Sequence, residues 1–415
     1  MRIGFISTRL KGTDGVSLEV EKWSRLLRLM GHEVFFCAGE LGGYAGEGTL
    51  IPLMHFQHPT ILSLNEKAFG VHAEQDPGQL LDGIHKIAAE ILPSLRQFIL
   101  SSHLDLIVVQ NALAIPMNLP LGVCITELIK ELRINTIAHH HDFFWERTRF
   151  QVGTMLDFLD TYFPPDLPNI QHVTINSLAQ NRLKARRRID SVIVPNVYDF
   201  ATPPPGIDEY NSDFREKIGL TSNELLILQP TRVIQRKGIE LSLELINRLK
   251  LPNARLIITH QAGDEGLSYW NWIKHEAACM GVPLLLIDSL IADQRAIVNQ
   301  QKQYTLWDAY PHADLVTYPS LYEGFGNALL ETIYFKRLAV VNRYPVYVAD
   351  LAPLGFQFVE LEDCVDENAV KKVLHLLQSP EQVRRMTDVN YRIAQDHFSL
   401  EVLQKKIQGL LSNVA

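Results

Sequence analysis

DLVTYPSLYEGFGNALLETIYF, residues 314–335, carries a short β-prone run into a helix-forming run through a turn with two glycines. Gly324 and Gly326 free the backbone to bend, Asn327 is suited to cap a helix, and ALLETIYF continues as one. Strand, tight turn and helix in that order is the repeating unit of a parallel sheet joined by crossover helices. The same alternation runs along most of the chain. Strands are predicted at 2–7 (RIGFIS), 33–38 (EVFFCA), 104–110 (LDLIVVQ), 135–140 (NTIAHH), 172–176 (HVTIN) and 191–196 (SVIVPN). A second set follows at 225–229 (LLILQ), 254–259 (ARLIIT), 283–288 (PLLLID), 314–319 (DLVTYP) and 338–342 (LAVVN). The clearest helix follows the first strand: Val16, Val20, Trp23, Leu27 and Met30 fall on one face of a 3.6-residue period, and Gly31 ends it.

Between the two sets lies ATPPPGIDEY, 201–210, whose three consecutive prolines and glycine make a stiff, structure-breaking linker. The boundary is placed there, leaving domains at 1–200 and 211–380 and a helical tail at 381–415. A chain of 415 residues exceeds one ordinary core and suits two domains of roughly 200 residues each. The predicted fold class is therefore α/β, two doubly wound parallel-sheet domains facing each other across a cleft. Ligands of such sheets bind beyond the carboxyl ends of strands, so candidate residues should follow strands directly.

Composition excludes several classes. With 47% apolar and 21% charged residues and no repeat or low-complexity tract, the chain is globular, neither a solenoid nor disordered. A net charge of -8 argues against a nucleic-acid partner. Cys37, Cys124, Cys279 and Cys364 lack CxxC spacing and sit in or beside apolar segments, which predicts reduced, buried thiols in a cytoplasmic protein. MRIGFISTRL has no signal-peptide pattern, and no apolar run reaches membrane-spanning length.

Four stretches follow strands and carry chemistry. In RLKGTDGVS, 9–17, Gly12 and Gly15 allow close backbone approach and the helix beginning at Val16 and Ser17 offers N–H groups to an anion; an ordinary tight turn fits equally. IAHHHDFFWERTRF, 137–150, holds three histidines and an aspartate. Adjacent strand residues face opposite ways, so His139, His140 and His141 cannot converge on one metal ion, and one inward histidine touching substrate is the favoured reading. In TRVIQRKG, 231–238, Arg232 and Lys237, with Arg236 beside them, suit a diphosphate. In EGFGNALLE, 323–331, Glu323 precedes the helix and Glu331 lies about one turn inside it. At 1.5 Å rise per residue the carboxylates stand on the order of 10 Å apart, too far to share a proton, and should grip different parts of one extended ligand. No D-x-D occurs, so leaving-group charge would fall to Arg232, Lys237 and helix N-termini, with no metal.

As a set, the E-x7-E of EGFGNALLE, the R-x4-K of TRVIQRKG, HD at 141–142, PN at 195–196 and the glycine turn after the first strand resemble retaining glycosyltransferases of family 4. The motifs keep that family's order from the N-terminus to about residue 345. The triple histidine departs from the family pattern and leaves His140 open beside His141, and GTDG replaces paired glycines in the first loop. The resemblance implies a GT-B fold: Rossmann-like domains, acceptor on the first, nucleotide sugar on the second, and a terminal helix crossing back. It implies that Arg232 and Lys237 neutralise the donor diphosphate and that Glu331 accepts from ribose hydroxyls. Glu323 and His141 would lie by the donor sugar, and the backbone of Phe325, Gly326 and Asn327 near sugar hydroxyls and phosphate, with Gly12 and Gly15 also binding the donor. The implied reaction moves glucose or mannose from a UDP- or GDP-sugar to a carbohydrate hydroxyl by front-face displacement with retention, and requires no cofactor. Arg232→Ala or Lys237→Ala should depress turnover far more than folding.

HHHDFFWERTRF also looks similar to enzymes extending small compatible-solute glycosides such as glucosylglycerate. The aromatic stretch 143–168 reads as a carbohydrate platform or as a packed helix and loop. KARRRI, 184–189, reads as a solvated helix C-terminus or as a contact to anionic lipid at the inner membrane face. Rival classes are polysaccharide or glycolipid glycosyltransferases, an epimerase or phosphorylase of this architecture, a dinucleotide oxidoreductase, disfavoured by the missing GxGxxG, and a silent binding protein.

Overall fold

The computed structural model describes residues 1–12, 15–44, 46–70, 77–151, 153–263 and 266–413. Its backbone divides into two compact units, Met1–Asn196 with Leu403–Ala415, and Val197–Val402. Residues 201–210 contain neither helix nor strand. The tail consists of the helices Pro380–Phe398 and Leu400–Ser412.

The first unit contains β1 (Arg2–Ser7), β2 (Glu33–Ala38), β3 (Gly48–Leu50), β4 (Leu106–Gln110), β5 (Asn135–His140), β6 (Ile170–Thr174) and β7 (Ser191–Ile193). They form one parallel sheet in the order β3-β2-β1-β4-β5-β6-β7. Every residue of β4 is buried, as expected for a strand covered by helices on both faces. The helix Gly15–Leu29 buries Val20, Trp23 and Leu27 of the predicted stripe and adds Leu26. Strand order reverses between β1 and β4, which makes their carboxyl ends the switch point of this sheet.

The second unit contains β8 (Leu225–Gln229), β9 (Ala254–Ile258), β10 (Leu284–Leu286), β11 (Ala296–Val298), β12 (Gln301–Gln303), β13 (Leu315–Tyr318), β14 (Ala339–Asn342) and β15 (Val359–Leu361). Six of these form a parallel sheet ordered β10-β9-β8-β13-β14-β15, while β11 and β12 make a separate antiparallel ribbon. Here the order reverses between β8 and β13. The strands at 2–7, 33–38, 135–140 and 225–229 have the predicted limits. β3, β15 and the ribbon were not predicted, because three residues are too few to display a period of two.

Cys37 and Cys124 are buried, and burial pushes the Cys124 thiol up to about 12. Cys279 and Cys364 are exposed, which corrects the expectation of four buried thiols. The helix Ser268–Met280 buries only Ile273 and Ala277, so Cys279 falls on its outer face, its Sγ 3.6 Å from His275 one turn earlier. Among the described residues no helix is long and apolar enough to cross a membrane.

Candidate active site

β8 and β13 lie side by side, with Leu315 opposite Ile227 and Val316 opposite Leu228. Their carboxyl ends release the two loops that the sequence singles out. Gln229, the last residue of β8, is fully buried and fixes both loop origins: its Oε1 accepts from Thr317 Oγ1 at 2.8 Å and Ser242 Oγ at 2.7 Å, and its Nε2 donates to Thr231 Oγ1 at 2.9 Å. The loops are then joined directly. Leu321 N donates to the Arg236 carbonyl at 2.9 Å, and Arg236 Nη1 donates to the Tyr322 carbonyl and to Glu323 Oε2, each at 3.1 Å. Lys237 Nζ donates to Glu323 Oε1. Gly238 follows at φ +60°, where an added Cβ would stand 2.4 Å from the Pro319 carbonyl oxygen, so this close approach admits only glycine.

The electrostatics follow from burial. Glu323 is 7% exposed and Lys237 8%. Burial pushes the Glu323 carboxyl up, but Lys237 and Arg236 outweigh it and hold the group at about 2. Burial lowers the Lys237 ammonium below its ordinary value, and Glu323 opposes that shift. Counting the two loops, Arg232, Arg236 and Lys237 stand against Glu323, an excess of two positive charges. The sequence reading assigned Lys237 to a phosphate and Glu323 to a sugar separately. The fold pairs them, and this gives Lys237 a structural role beyond its expected chemical one.

The helix Asn327–Tyr334 has Gly326 at its N-cap, φ +123°, and no side-chain cap; Asn327 is its first residue and does not cap it. Tyr344 Oη donates to the Phe325 carbonyl at 2.7 Å, and the Phe325 ring is buried edge-on to Phe398 at 5.2 Å. Glu331 is half-buried, and its Oε2 accepts from Tyr310 Oη at 3.2 Å. The two glutamates therefore hold different partners and make no pair.

In the first unit, Gly12 is exposed at φ +80° and Gly15 opens its helix; Thr13 and Asp14 between them lie outside the described residues. At the end of β4, Asn111 takes a positive φ and its side chain accepts the His141 N–H at 3.1 Å and donates to Asp142 Oδ1 at 3.2 Å. Gln110 Oε1 lies 3.1 Å from His141 Nε2, so that nitrogen carries the proton. Asp142 is paired with Arg147. Strand alternation separates the other histidines as predicted. His139 packs on Trp23 at 4.9 Å and on His141 at 4.5 Å, whereas His140 turns the other way and shares a 2.9 Å hydrogen bond, Nε2 to Nδ1, with His172. His140 is thus committed inside the sheet, and His141 stands at its carboxyl edge. Among the described residues no group of three or more His, Cys, Asp or Glu side chains could hold a metal ion.

The buried histidines carry a prediction. Burial, with His172 and His141 alongside, lowers His140 well below 6.5, and burial reinforced by the Arg187 cation lowers His172 to about 4. Both are neutral in the fold, whereas the unfolded chain binds their protons near 6.5. Their contribution to stability is complete above that value and is lost as pH falls toward 4, by about 1.4 kcal/mol per pH unit for each group. Urea midpoints should drop between pH 7.5 and 5.5, less steeply in His172→Gln. Equal slopes in the two proteins would refute the attribution.

Phe143, Phe144, Trp145, Phe150, Phe158 and Phe163 are all buried in the first unit's core, so the stretch 143–168 is a packed helix and loop and not an exposed platform. The cations of KARRRI close the helix Ser177–Arg187: Lys184 pairs with Asp190 at 2.6 Å and Arg187 with Asp160 at 3.5 Å, while Arg186 lies over Trp145.

Residues 211–392 match the family model described as glycosyl transferases group 1. The mannosylglucosylglycerate synthase of Thermotoga maritima is 34% identical, over 97% of this chain and 98% of its own length. The chain belongs to the glycosyl transferases group 1 family. A second mannosylglucosylglycerate synthase, from Petrotoga mobilis, is 32% identical over 100% of this chain and 98% of its own. Among solved structures, a glycosyltransferase from Rickettsia africae aligns over 100% of this chain and 98% of its own at TM-score 0.70 and 14% identity. Anabaena HepE in complex with UDP-glucose aligns over 100% of both chains at 0.68 and 14%. The chain is a glycosyltransferase of the GT-B fold, with two Rossmann-like parallel-sheet domains.

Within that family frame, sequence reading undervalued Arg236, noted only as a neighbouring cation, and missed Gln110, Asn111 and Tyr344. Gln110 and Asn111 end a strand, and the rule that ligand-binding residues follow strands would have drawn them. Tyr344 reaches Phe325 from 19 residues away in sequence, a contact with no local signature.

Proposed function

We propose that this glycosyltransferase moves a mannosyl group, with retention, from a nucleoside-diphosphate mannose to glucosylglycerate or a closely related small glycoside. One observation carries the chemistry: the Arg236–Glu323–Lys237 cluster at the β8/β13 switch point, whose loops hold two positive charges in excess, the complement of a nucleotide sugar's diphosphate. The activity for which the two mannosylglucosylglycerate synthases are named supports the choice of sugar and acceptor.

In this reading Arg232 and Lys237 take the diphosphate, Glu331 the ribose, and Glu323 with the backbone of Phe325, Gly326 and Asn327 the sugar and adjoining phosphate. His141, at the carboxyl edge of its sheet, is assigned to the donor sugar. The acceptor oxygen bonds to the anomeric carbon on the face from which the phosphate departs, the carbon–phosphate oxygen bond breaks, and the acceptor proton passes to the leaving phosphate. Catalysis then rests on placed positive charge, and no side chain acts as base. The nucleotide sugar is consumed as substrate and no further cofactor is invoked.

The test offers GDP-mannose, UDP-mannose, GDP-glucose and UDP-glucose with glucosylglycerate. One mannosyl donor should yield a disaccharide glycoside of glycerate of the expected mass, α-configured at the mannosyl carbon by NMR, and its nucleoside diphosphate at a hundredfold excess over Kd should add about 2.7 kcal/mol of stability. A β-configured product would refute retention. Absence of product from all four would sink the donor and acceptor assignment.

A further inference from the structure

Arg236 lies outside the R-x4-K pair, yet it is the residue through which the two motif loops are joined. Its carbonyl receives Leu321 N–H at 2.9 Å, and its guanidinium grips the Tyr322 carbonyl and Glu323 Oε2, each at 3.1 Å. Lys237 occupies the other oxygen, Oε1. The Glu323 carboxylate thus has one cation on each oxygen, and the two are not equivalent. A guanidinium is planar, and here it is fixed at two acceptors. An ammonium is a compact charge with three rotatable donors on a flexible stem, able to turn to a new partner.

A nucleotide sugar brings two negative charges into these loops. Once Lys237 gives part of its charge to phosphate oxygens, Glu323 loses compensation just as more negative charge arrives. A buried carboxylate in that position takes up a proton or leaves its place. The other polar groups facing it bring no charge to hold it: Tyr318, Tyr344 and Ser320 are neutral hydroxyls, the two phenols held far above their ordinary value by burial, and Arg232 acts on Lys237. Arg236 can prevent it.

We propose that Arg236 is a positioning residue of the transfer reaction, fastened to Tyr322 and Glu323 Oε2 so that the Glu323 carboxylate keeps its place when Lys237 turns to the donor diphosphate. The proposal rests on Lys237 serving the diphosphate. It differs from a purely structural staple in one respect: its effect should appear when nucleotide is bound and should pass through Glu323.

The variants are Arg236→Met, Arg236→Lys, Glu323→Gln and the double Arg236→Met/Glu323→Gln, each checked for cooperative unfolding. The Glu323 carboxyl is titrated by carbon NMR, assigned by its loss in Glu323→Gln, with and without GDP or UDP, from pH 9 down to the acid limit of the folded protein. In the wild type the group should stay ionised under both conditions. In Arg236→Met the nucleotide should move its midpoint upward by at least about one unit, a tenfold change in the protonated fraction. In transfer assays Arg236→Met should lower kcat about tenfold and raise the acid limb of its pH profile, while Arg236→Lys restores most of both. In the Glu323→Gln background the same substitution should cost less than about twofold.

Equal losses in both backgrounds, or an acid limb and NMR midpoint that do not move, would overturn the proposal. Should the wild type form no product from any nucleotide sugar, the transfer reading fails by that result. The NMR titration then still decides whether Arg236 holds Glu323 when a nucleoside diphosphate binds.

Discussion

Lys237→Met is expected to lower kcat/KM for the nucleotide sugar by about a hundred- to a thousandfold, the usual effect of removing one placed donor from developing negative charge. It should also lower folding stability by about 3 kcal/mol, which the sequence reading did not anticipate. Lys237 and Glu323 are both more than nine-tenths buried and paired with each other. Removing the lysine leaves a buried carboxylate with Arg236 as its remaining ion-pair partner in the cluster, and burial then pushes the carboxyl upward. The sign with pH follows. A carboxyl held near 2 in the fold and near 4.5 when unfolded stabilises the protein above 4.5, and that stability is lost as pH falls toward 2. The deficit of Lys237→Met should therefore be full at neutral pH and shrink below 4.5. Adding Glu323→Gln removes the stranded charge and should recover most of the stability, with turnover still lost. Exposed Arg232 offers the contrast: Arg232→Ala should depress turnover with little change in the denaturation midpoint. Near-normal turnover in both single variants would sink the charge assignment. A double variant no more stable than Lys237→Met would show that the ion pair is not the source of the deficit.

How much of this was legible depended on whether a feature was local. β8, LLILQ, could be read to the residue because a buried parallel strand is a near-continuous apolar run, and the limits of β5 placed His141 at its carboxyl edge. The R-x4-K and E-x7-E spacings are likewise local, the first within one strand-to-helix loop and the second from such a loop into the helix that follows it. The pairing of those loops was not legible. Arg236 and Glu323 are 87 residues apart and meet because β8 and β13 are neighbours, a fact of sheet order that periodicity does not contain. The same holds for His140, whose partner His172 is set by the β5–β6 register. The sequence left the aromatics of 143–168 open between a platform and a packed helix and loop for another reason: aromatic content signals area to be covered without saying by what, and in this unit the core covers it.

Gly326→Ala is expected to be strongly damaging for so small a substitution, lowering stability by about 3 kcal/mol and weakening donor binding by tenfold or more. Gly326 sits at φ +123° and ψ 62°, which an L-residue adopts only under strain, and an added Cβ would stand 2.7 Å from Tyr344 Oη and 3.3 Å from Tyr318 Oη. The first contact matters most, because that hydroxyl holds the Phe325 carbonyl and with it the peptide that enters the helix. Either the tyrosine retreats and the turn loses its anchor, or the turn shifts and the helix start moves with it. Two comparisons separate strain from collision. Gly12→Ala, at φ +80° with no atom of the described residues within 4 Å of its added Cβ, has the backbone part alone and should cost about 1 kcal/mol. Tyr344→Phe removes the obstructing oxygen, so Gly326→Ala/Tyr344→Phe should be less destabilised than the sum of the single changes, while donor binding stays weak because the Phe325 carbonyl is no longer held. Additive losses would mean that the alanine methyl does not meet Tyr344, and a Gly326→Ala protein within 0.5 kcal/mol of wild type, a margin typical of an unconstrained surface site, would mean that the turn does not need its glycine.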